Sequence, residues 1–427
     1  MDLLIQGGHL LDPVAGRDGI YDILIRDGRI AQVAEHMEAD AEKIDASGKY
    51  VMPGFIDLHV HLREPGLEYK ETILTGSMAA AAGGFTSICP MPNTKPSTDT
   101  PEKITALLEK AKTDSKVHIL PIGAISIGQE GKVLADIAGM AKAGAVAVSE
   151  DGKSVMNSAL YAEGMKLAAE AGIPVFAHCE DIDLVRGGVM NAGKRAKELG
   201  LPGITNAVED IITARDIFLA RETGVQLHLC HCSTKDSVKM IAMAKEEGLP
   251  VSGETGPHYF TMIDEEIPED FGNYKMNPPL RGKEDKEALI KALQENVLEA
   301  IATDHAPHSK EEKEQSMLKS PFGIVGSETA FALTVTELVR KGKLTMTELV
   351  ERMSAQPAKI LGIPKGSLQP GMAADITIAD TESAYVIDPE KFYSKGKNTP
   401  FGGKEVYGVI CYTIVDGEIV YSNKKQI

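Results

Sequence analysis

The chain has 427 residues, and its 45 Lys and Arg against 62 Asp and Glu give a formal net charge of −17. That length suits one large domain plus a satellite, and that charge excludes the basic face a nucleic acid or an anionic membrane would need. Five cysteines, Cys89, Cys179, Cys230, Cys232 and Cys411, show no framework spacing, which predicts reduced thiols in a cytoplasmic protein. The amino terminus carries no basic region ahead of its short apolar run, so no signal peptide is expected. No stretch approaches the roughly 18 apolar residues of a membrane span.

The two ends of the chain look alike. Residues 23–30 place Asp27-Gly28 between alternating apolar runs, and residues 413–420 do the same around Asp416-Gly417. Asp-Gly so flanked predicts a hairpin, because a type I′ turn needs positive φ at both central residues. With the extended stretches 43–45 and 375–378, the termini read as one small β-sandwich built from residues 1–52 and 366–427. Residues 53–365 lie between them, and there strands and helices alternate. Eight short apolar or β-branched runs fall at 55–60, 85–91, 118–125, 145–149, 174–178, 225–231, 250–253 and 300–304. The helical segments between them often end in glycine, as at Gly144, Gly172 and Gly248. Eight such units predict an α/β protein, a (β/α)₈ TIM-like barrel. A doubly wound open sheet is the rival, weakened because no glycine-rich phosphate loop follows any strand. The longest break, 258–280, is expected near the active-site face.

Polar, metal-capable residues stand where these runs stop. The first ends in His59 and His61, the fourth in Glu150 and Asp151, the fifth in His178, the sixth in His231 and the eighth in Asp304 and His305. In such a barrel the carboxyl ends of all strands converge on one face. His59 and His61 are two apart, so both project to one side of the strand. Taken alone, they are equally well two histidines on a strand face, and Asp151 and Asp304 taken alone are helix caps or loop residues. The joint pattern points to metal. Parity separates His231 from His228, which is expected to face outward with Cys230 and Cys232 as packing residues. Histidine and carboxylate ligands suit zinc, with manganese or cobalt also able to serve. Six candidates exceed the three protein ligands of one open catalytic zinc. Two ions bridged by Asp151 would account for all six and would supply a nucleophile ionised near neutral pH.

At these residues the chain resembles the amidohydrolase superfamily and, within it, the dihydroorotases with an aspartate between two zincs. The resemblance rests on Pro53-Gly54-Phe55-Ile56-Asp57-Leu58-His59-Val60-His61-Leu62-Arg63, on Met91-Pro92-Asn93-Thr94 and on Lys275-Met276-Asn277-Pro278-Pro279-Leu280-Arg281. Ala302-Thr303-Asp304-His305-Ala306-Pro307-His308 and Pro321-Phe322-Gly323 complete it. It implies that His59, His61, Asp151, His178, His231 and Asp304 bind two Zn²⁺ per subunit, with Asp304 also the general base and acid. It implies that Arg63, Asn93, Asn277, His308 and the backbone of Phe322 and Gly323 hold the substrate. The implied reaction is reversible hydrolysis of L-dihydroorotate to N-carbamoyl-L-aspartate in pyrimidine synthesis.

The residues themselves leave some roles open. A guanidinium forks onto a carboxylate, so Arg63 fits the anionic substrate, but an ion pair with Glu64 or Glu68 is the plain alternative. Asn277 before Pro278 also suits a turn, and His308 a loop cap. Lys153, two residues past Asp151, is the rival bridge in carboxylated form. Residues 255–259 lack the second histidine of many relatives and receive no role. The charge run 309–316 reads as a solvated helix in preference to a lid. Dihydropyrimidinases and allantoinases resemble the same barrel but usually lack Arg63 and the run around Asn93. A catalytically dead scaffold is disfavoured because all six ligand positions are filled. Neither a homodimer nor a complex with the preceding enzyme of the pathway is legible in the residues.

Overall fold

Both Asp-Gly turns form. Asp27 and Gly28 have φ of 49° and 73°, and Asp416 and Gly417 have 48° and 77°, the positive pair a type I′ hairpin demands. The computed structural model, which describes residues 2–423, joins the two hairpins into one eight-stranded sheet. Its path runs Glu418–Ser422, Glu405–Val415, Ile376–Val386, Tyr50–Pro53, Leu3–Asp12, Arg17–Arg26 and Arg29–Ala34, with Glu42–Asp45 also paired to Leu3–Asp12. The sheet folds over until its end hairpins meet. Arg29 bridges Ala373, and a Cβ on Gly417 would lie 2.9 Å from the Cα of Gly28. Leu3, Ile5, Leu10, Ile25, Ile376 and Ile414 fill the inside.

Gly54 carries the chain from this sheet into the first barrel strand, Phe55–Val60. Parallel pairing then proceeds through Phe85–Pro90, a third strand in two pieces, Ala147–Ser149, Val175–Ala177, Leu227–Leu229, Val251–Thr255 and Ala300–Ile301. The third run breaks at Pro121, which has no N–H for a ladder. His118–Ile119 pairs with the second strand and Ile122–Ala124 with the fourth. The ring closes beyond the eighth strand, where Val60 bridges His305 and His61 N–H donates to the His305 carbonyl at 2.8 Å. Below that seam the Asp57 carboxylate accepts from Thr303 N at 3.0 Å and Thr303 Oγ1 at 2.6 Å.

Six strands send a side chain into one interior cluster, through Ile56, Leu58, Cys89, Ile122, Ala147, Phe176 and Ala300, and Cys230 joins it from just past the end of another. The helices pack outside, and their ends follow the glycines: Ile137–Ala143 stops at Gly144 and Ser158–Ala171 at Gly172, both left-handed. Among the described residues no helix is long and apolar enough to cross a membrane. One segment departs from the terminal sheet altogether. Residues 387–404, between the strands Ile376–Val386 and Glu405–Val415, reach back over the barrel mouth. There Ser394 Oγ donates to Glu71, and Asn398 Nδ2 donates to the carbonyls of Ala306 (3.1 Å) and Gly323 (3.0 Å).

Candidate active site

The six candidate ligands from five strand ends meet in one buried cluster. His59, His61 and Asp151 form one group of converging donor atoms, and Asp151, His178 and His231 form a second. Asp151 belongs to both. Its Oδ1 lies 3.2 Å from His59 Nε2 and 3.5 Å from His178 Nδ1, while its Oδ2 lies 3.7 Å from His61 Nε2. Asp304 Oδ1 completes the first group, 3.1 Å from His61 Nε2 and 3.6 Å from His59 Nε2. The donor set fits a cation. His59 Nε2, which faces Asp151 and Asp304, is buried without a hydrogen-bond partner, a costly condition that an ion would relieve. Lys153 is exposed, with Nζ 3.5 Å from the Gly128 carbonyl, and stands outside the cluster.

Electrostatics and backbone both serve this convergence. Burial opposes ionisation of Asp151 and Asp304, but the surrounding imidazoles outweigh it and hold both carboxyls below the usual carboxylate range. His231, Asp304 and Arg63 take positive φ of 35°, 48° and 61°, a conformation costing about 1–3 kcal/mol each in non-glycine residues. Such a kink turns a side chain out of strand parity. This corrects the expected outward placement of His228 and Cys230. The sixth strand ends at Leu229, and the left-handed His231 reverses the alternation beyond it. Cys230 therefore packs in the barrel interior. His228 Nε2 lies 3.1 Å from Glu254 Oε2, and Glu254 Oε1 lies 3.4 Å from His59 Nδ1. Cys232 packs with the outer helices, as expected of a packing residue.

Beside the cluster a cavity of about 120 Å³ is lined by Arg63, Asn93, Asn277, His308, Phe322 and Gly323, together with His61, Asp151, His178, His231 and Asp304. All six residues expected to hold the substrate thus share one cavity with five of the six candidate ligands; His59 lies behind it. The alternative partners of Arg63 are engaged elsewhere: Glu64 pairs with Lys110, and Glu68 accepts from Gly66 N. Arg63 is 8% exposed, and its Nε donates to the Pro307 carbonyl at 3.2 Å. Among the described residues no carboxylate lies within ion-pair distance of it. Asn93 spans the ligands, its Oδ1 2.9 Å from His61 Nδ1 and its Nδ2 donating to Asp151 Oδ2 at 3.0 Å. That leaves one amide hydrogen for the cavity. Burial first, then Arg63 and Lys70, push His308 well below the usual histidine range. Neutral His308 accepts from Lys70 Nζ at Nδ1 (3.0 Å), so its Nε2–H donates to the Phe322 carbonyl (2.7 Å).

Sequence reasoning missed several residues here. The charge run 309–316 predicts a solvated helix around Lys313, but only Lys310–Lys313 is helical. The Lys313 ammonium is buried, donating to the carbonyls of Lys275 (3.1 Å), Pro321 (3.0 Å) and Gly323 (2.7 Å). Glu312 meets Lys70 at 2.9 Å and Tyr69 at 3.0 Å, clasping this helix to the loop after the first strand. Glu180 and Glu254 stand against candidate ligands. Glu180 follows His178 at the two-residue spacing that relates Arg63 to His61, and that spacing was the available signal.

A closed barrel with these histidines and aspartates at its strand ends is the architecture of an amidohydrolase, and a model described as the amidohydrolase family matches residues 318–421. A second, described as dihydro-orotase-like, matches residues 48–237. The curated dihydroorotase of Syntrophus aciditrophicus is 47% identical over 424 residues, covering 99% of each chain. That of Staphylococcus epidermidis is 46% identical over 428 residues, covering 99% of this chain and 100% of the relative. Among solved structures, the L-hydantoinase (dihydropyrimidinase) of Arthrobacter aurescens superposes with a TM-score of 0.88 at 29% identity, covering 99% of this chain and 96% of its own. A D-hydantoinase gives 0.87 at 27%, with the same coverage. The chain belongs to the dihydroorotase family.

Proposed function

We propose that this enzyme catalyses the reversible hydrolysis of L-dihydroorotate to N-carbamoyl-L-aspartate in the cytoplasm, using two Zn²⁺ ions per subunit. The observation that carries the substrate is Arg63. A buried guanidinium with no carboxylate partner is costly, and a bound carboxylate relieves it through two parallel hydrogen bonds. Dihydroorotate carries that carboxylate where plain dihydropyrimidines do not. The free amide hydrogen of Asn93, the Asn277 amide and the backbone of Phe322 and Gly323 are the further contacts, with His308 fixing Phe322.

His59, His61 and Asp304 would hold one zinc, His178 and His231 the other, and Asp151 both. When bound, the pair supplies Lewis acidity toward the ring carbonyl and a nucleophile ionised near neutral pH. Asp304 is the general base: its carboxylate lines the cavity and takes the nucleophile's proton. It then returns that proton to the departing ring nitrogen, and cyclisation runs the same transfers backwards. Asn93 fixes the His61 tautomer by accepting a hydrogen bond from Nδ1–H, which leaves the Nε2 lone pair toward Asp304 and the ion.

The likeness in fold to hydantoinases favours one second reading, a cyclic amidohydrolase acting on a substrate without the carboxylate. Purified protein with measured zinc content, assayed in parallel with dihydroorotate, dihydrouracil and allantoin, separates the two. Dihydroorotate is the expected preferred substrate; preference for either other compound sinks the assignment.

A further inference from the structure

One buried carboxylate touches both the candidate metal cluster and the substrate cavity. Past the fifth strand, Cys179 turns outward, its Sγ 3.9 Å from Asp216. His178 and Glu180 therefore share the inward side. Glu180 Oε2 lies 3.0 Å from His178 Nε2, and Glu180 Oε1 accepts from Asn277 Nδ2 at 2.9 Å. No lysine or arginine of the described residues pairs with Glu180, which is 8% exposed. On its other edge, His178 Nδ1 lies 2.9 Å from His231 Nε2, within the group that includes Asp151.

We propose that Glu180 is a positioning residue that couples the second metal position to the substrate-binding loop through His178 and Asn277. By accepting a hydrogen bond from Nε2–H, Glu180 fixes the tautomer of His178 and aims the Nδ1 lone pair at the ligand group. By accepting from Asn277, the same carboxylate sets the amide of a residue between strands, which has no other side-chain tether among the described residues. The two bonds use the two oxygens of one carboxylate and together fix its orientation, so loosening either end shifts the other. This rests on the reading that His178 binds metal and Asn277 binds substrate.

The test uses the full chain with Glu180→Ala, Asn277→Ala, the double variant and Glu180→Gln. Zinc retention against a chelator is measured beside KM and kcat. Glu180→Ala is expected to weaken zinc retention by about 10–100-fold and to raise KM about tenfold or more. The double variant should raise KM no further than Asn277→Ala alone, because partners in one network are not additive. Glu180→Gln keeps the shape but offers an acceptor to only one neighbour, so it should preserve zinc retention or KM and not both. It also serves if the alanine variant does not fold. Unchanged zinc retention in Glu180→Ala, multiplicative KM effects in the double variant, or both properties intact in Glu180→Gln overturn the coupling. A wild-type protein that holds no zinc, or an Asn277→Ala variant with unchanged KM, defeats the functional reading first and the coupling with it.

Discussion

Replacing Lys313 by Met removes three hydrogen bonds and one buried charge, and the two effects oppose each other. Of the three carbonyls that lose the ammonium, Lys275 O still accepts from Gly323 N at 3.0 Å, and Gly323 O from Asn398 at 3.0 Å. Pro321 O keeps only a 3.5 Å contact from Ser320 Oγ. One acceptor is left poorly satisfied, a loss of about 1–3 kcal/mol. Against this, burial first and the charge of Lys275 next push Lys313 from 10.5 down to about 7, and its side chain is 2% exposed. That displacement disfavours the charged folded state by about 5 kcal/mol. Because the folded value lies below the unfolded one, the contribution of Lys313 to stability is complete above about 10.5 and is lost as pH falls to about 7. Wild type should therefore gain about 2 kcal/mol from this group between pH 7 and pH 9, and Lys313→Met should not. Urea unfolding midpoints of both proteins at pH 6, 7.5 and 9 provide the comparison. The variant is expected to match or exceed wild type at pH 6 and to fall behind at pH 9. Parallel midpoints across that range would refute the account of a buried, carbonyl-caged ammonium.

Three further outcomes concern the cavity. Arg63→Met should lower kcat/KM for dihydroorotate at least a hundredfold, the loss of a charge-assisted fork of about 3 kcal/mol. Its unfolding midpoint should hold or rise, since an unpaired buried charge is gone; unchanged kinetics would show that the arginine is structural. Asp304→Asn should abolish turnover while elemental analysis still finds zinc, because five ligands remain; substantial activity would remove Asp304 from the base role. Gly323→Ala places a Cβ 2.7 Å from that of Ala306 and 3.1 Å from His308 Nε2, at a φ of 127°. The displaced turn should raise KM severalfold with zinc content unchanged, as read from Michaelis curves and metal analysis.

The chain's periodicities determine the architecture without reference to any tertiary contact. Asp27-Gly28 and Asp416-Gly417, each set between alternating apolar runs, favour the positive φ of a tight hairpin, and a glycine at the close of an amphipathic segment favours a helix end, so hairpins and βα units were legible locally. The candidate ligands were legible because a parallel barrel gathers all carboxyl strand ends on one face, whatever lies between them. Tertiary structure alone decided what depends on backbone beyond those ends or on segments remote in sequence. The left-handed His231 broke the parity that had placed His228 and Cys230 outside. Lys313 looked solvated in a run of charges, yet its ammonium is enclosed by carbonyls from two loops that the sequence does not align. Asn398, in a segment assigned to the terminal sheet, crosses to the barrel mouth and donates to Gly323. Local sequence sets backbone preference and periodicity, but the partner of a long polar side chain is chosen by whichever buried acceptors the fold leaves within reach.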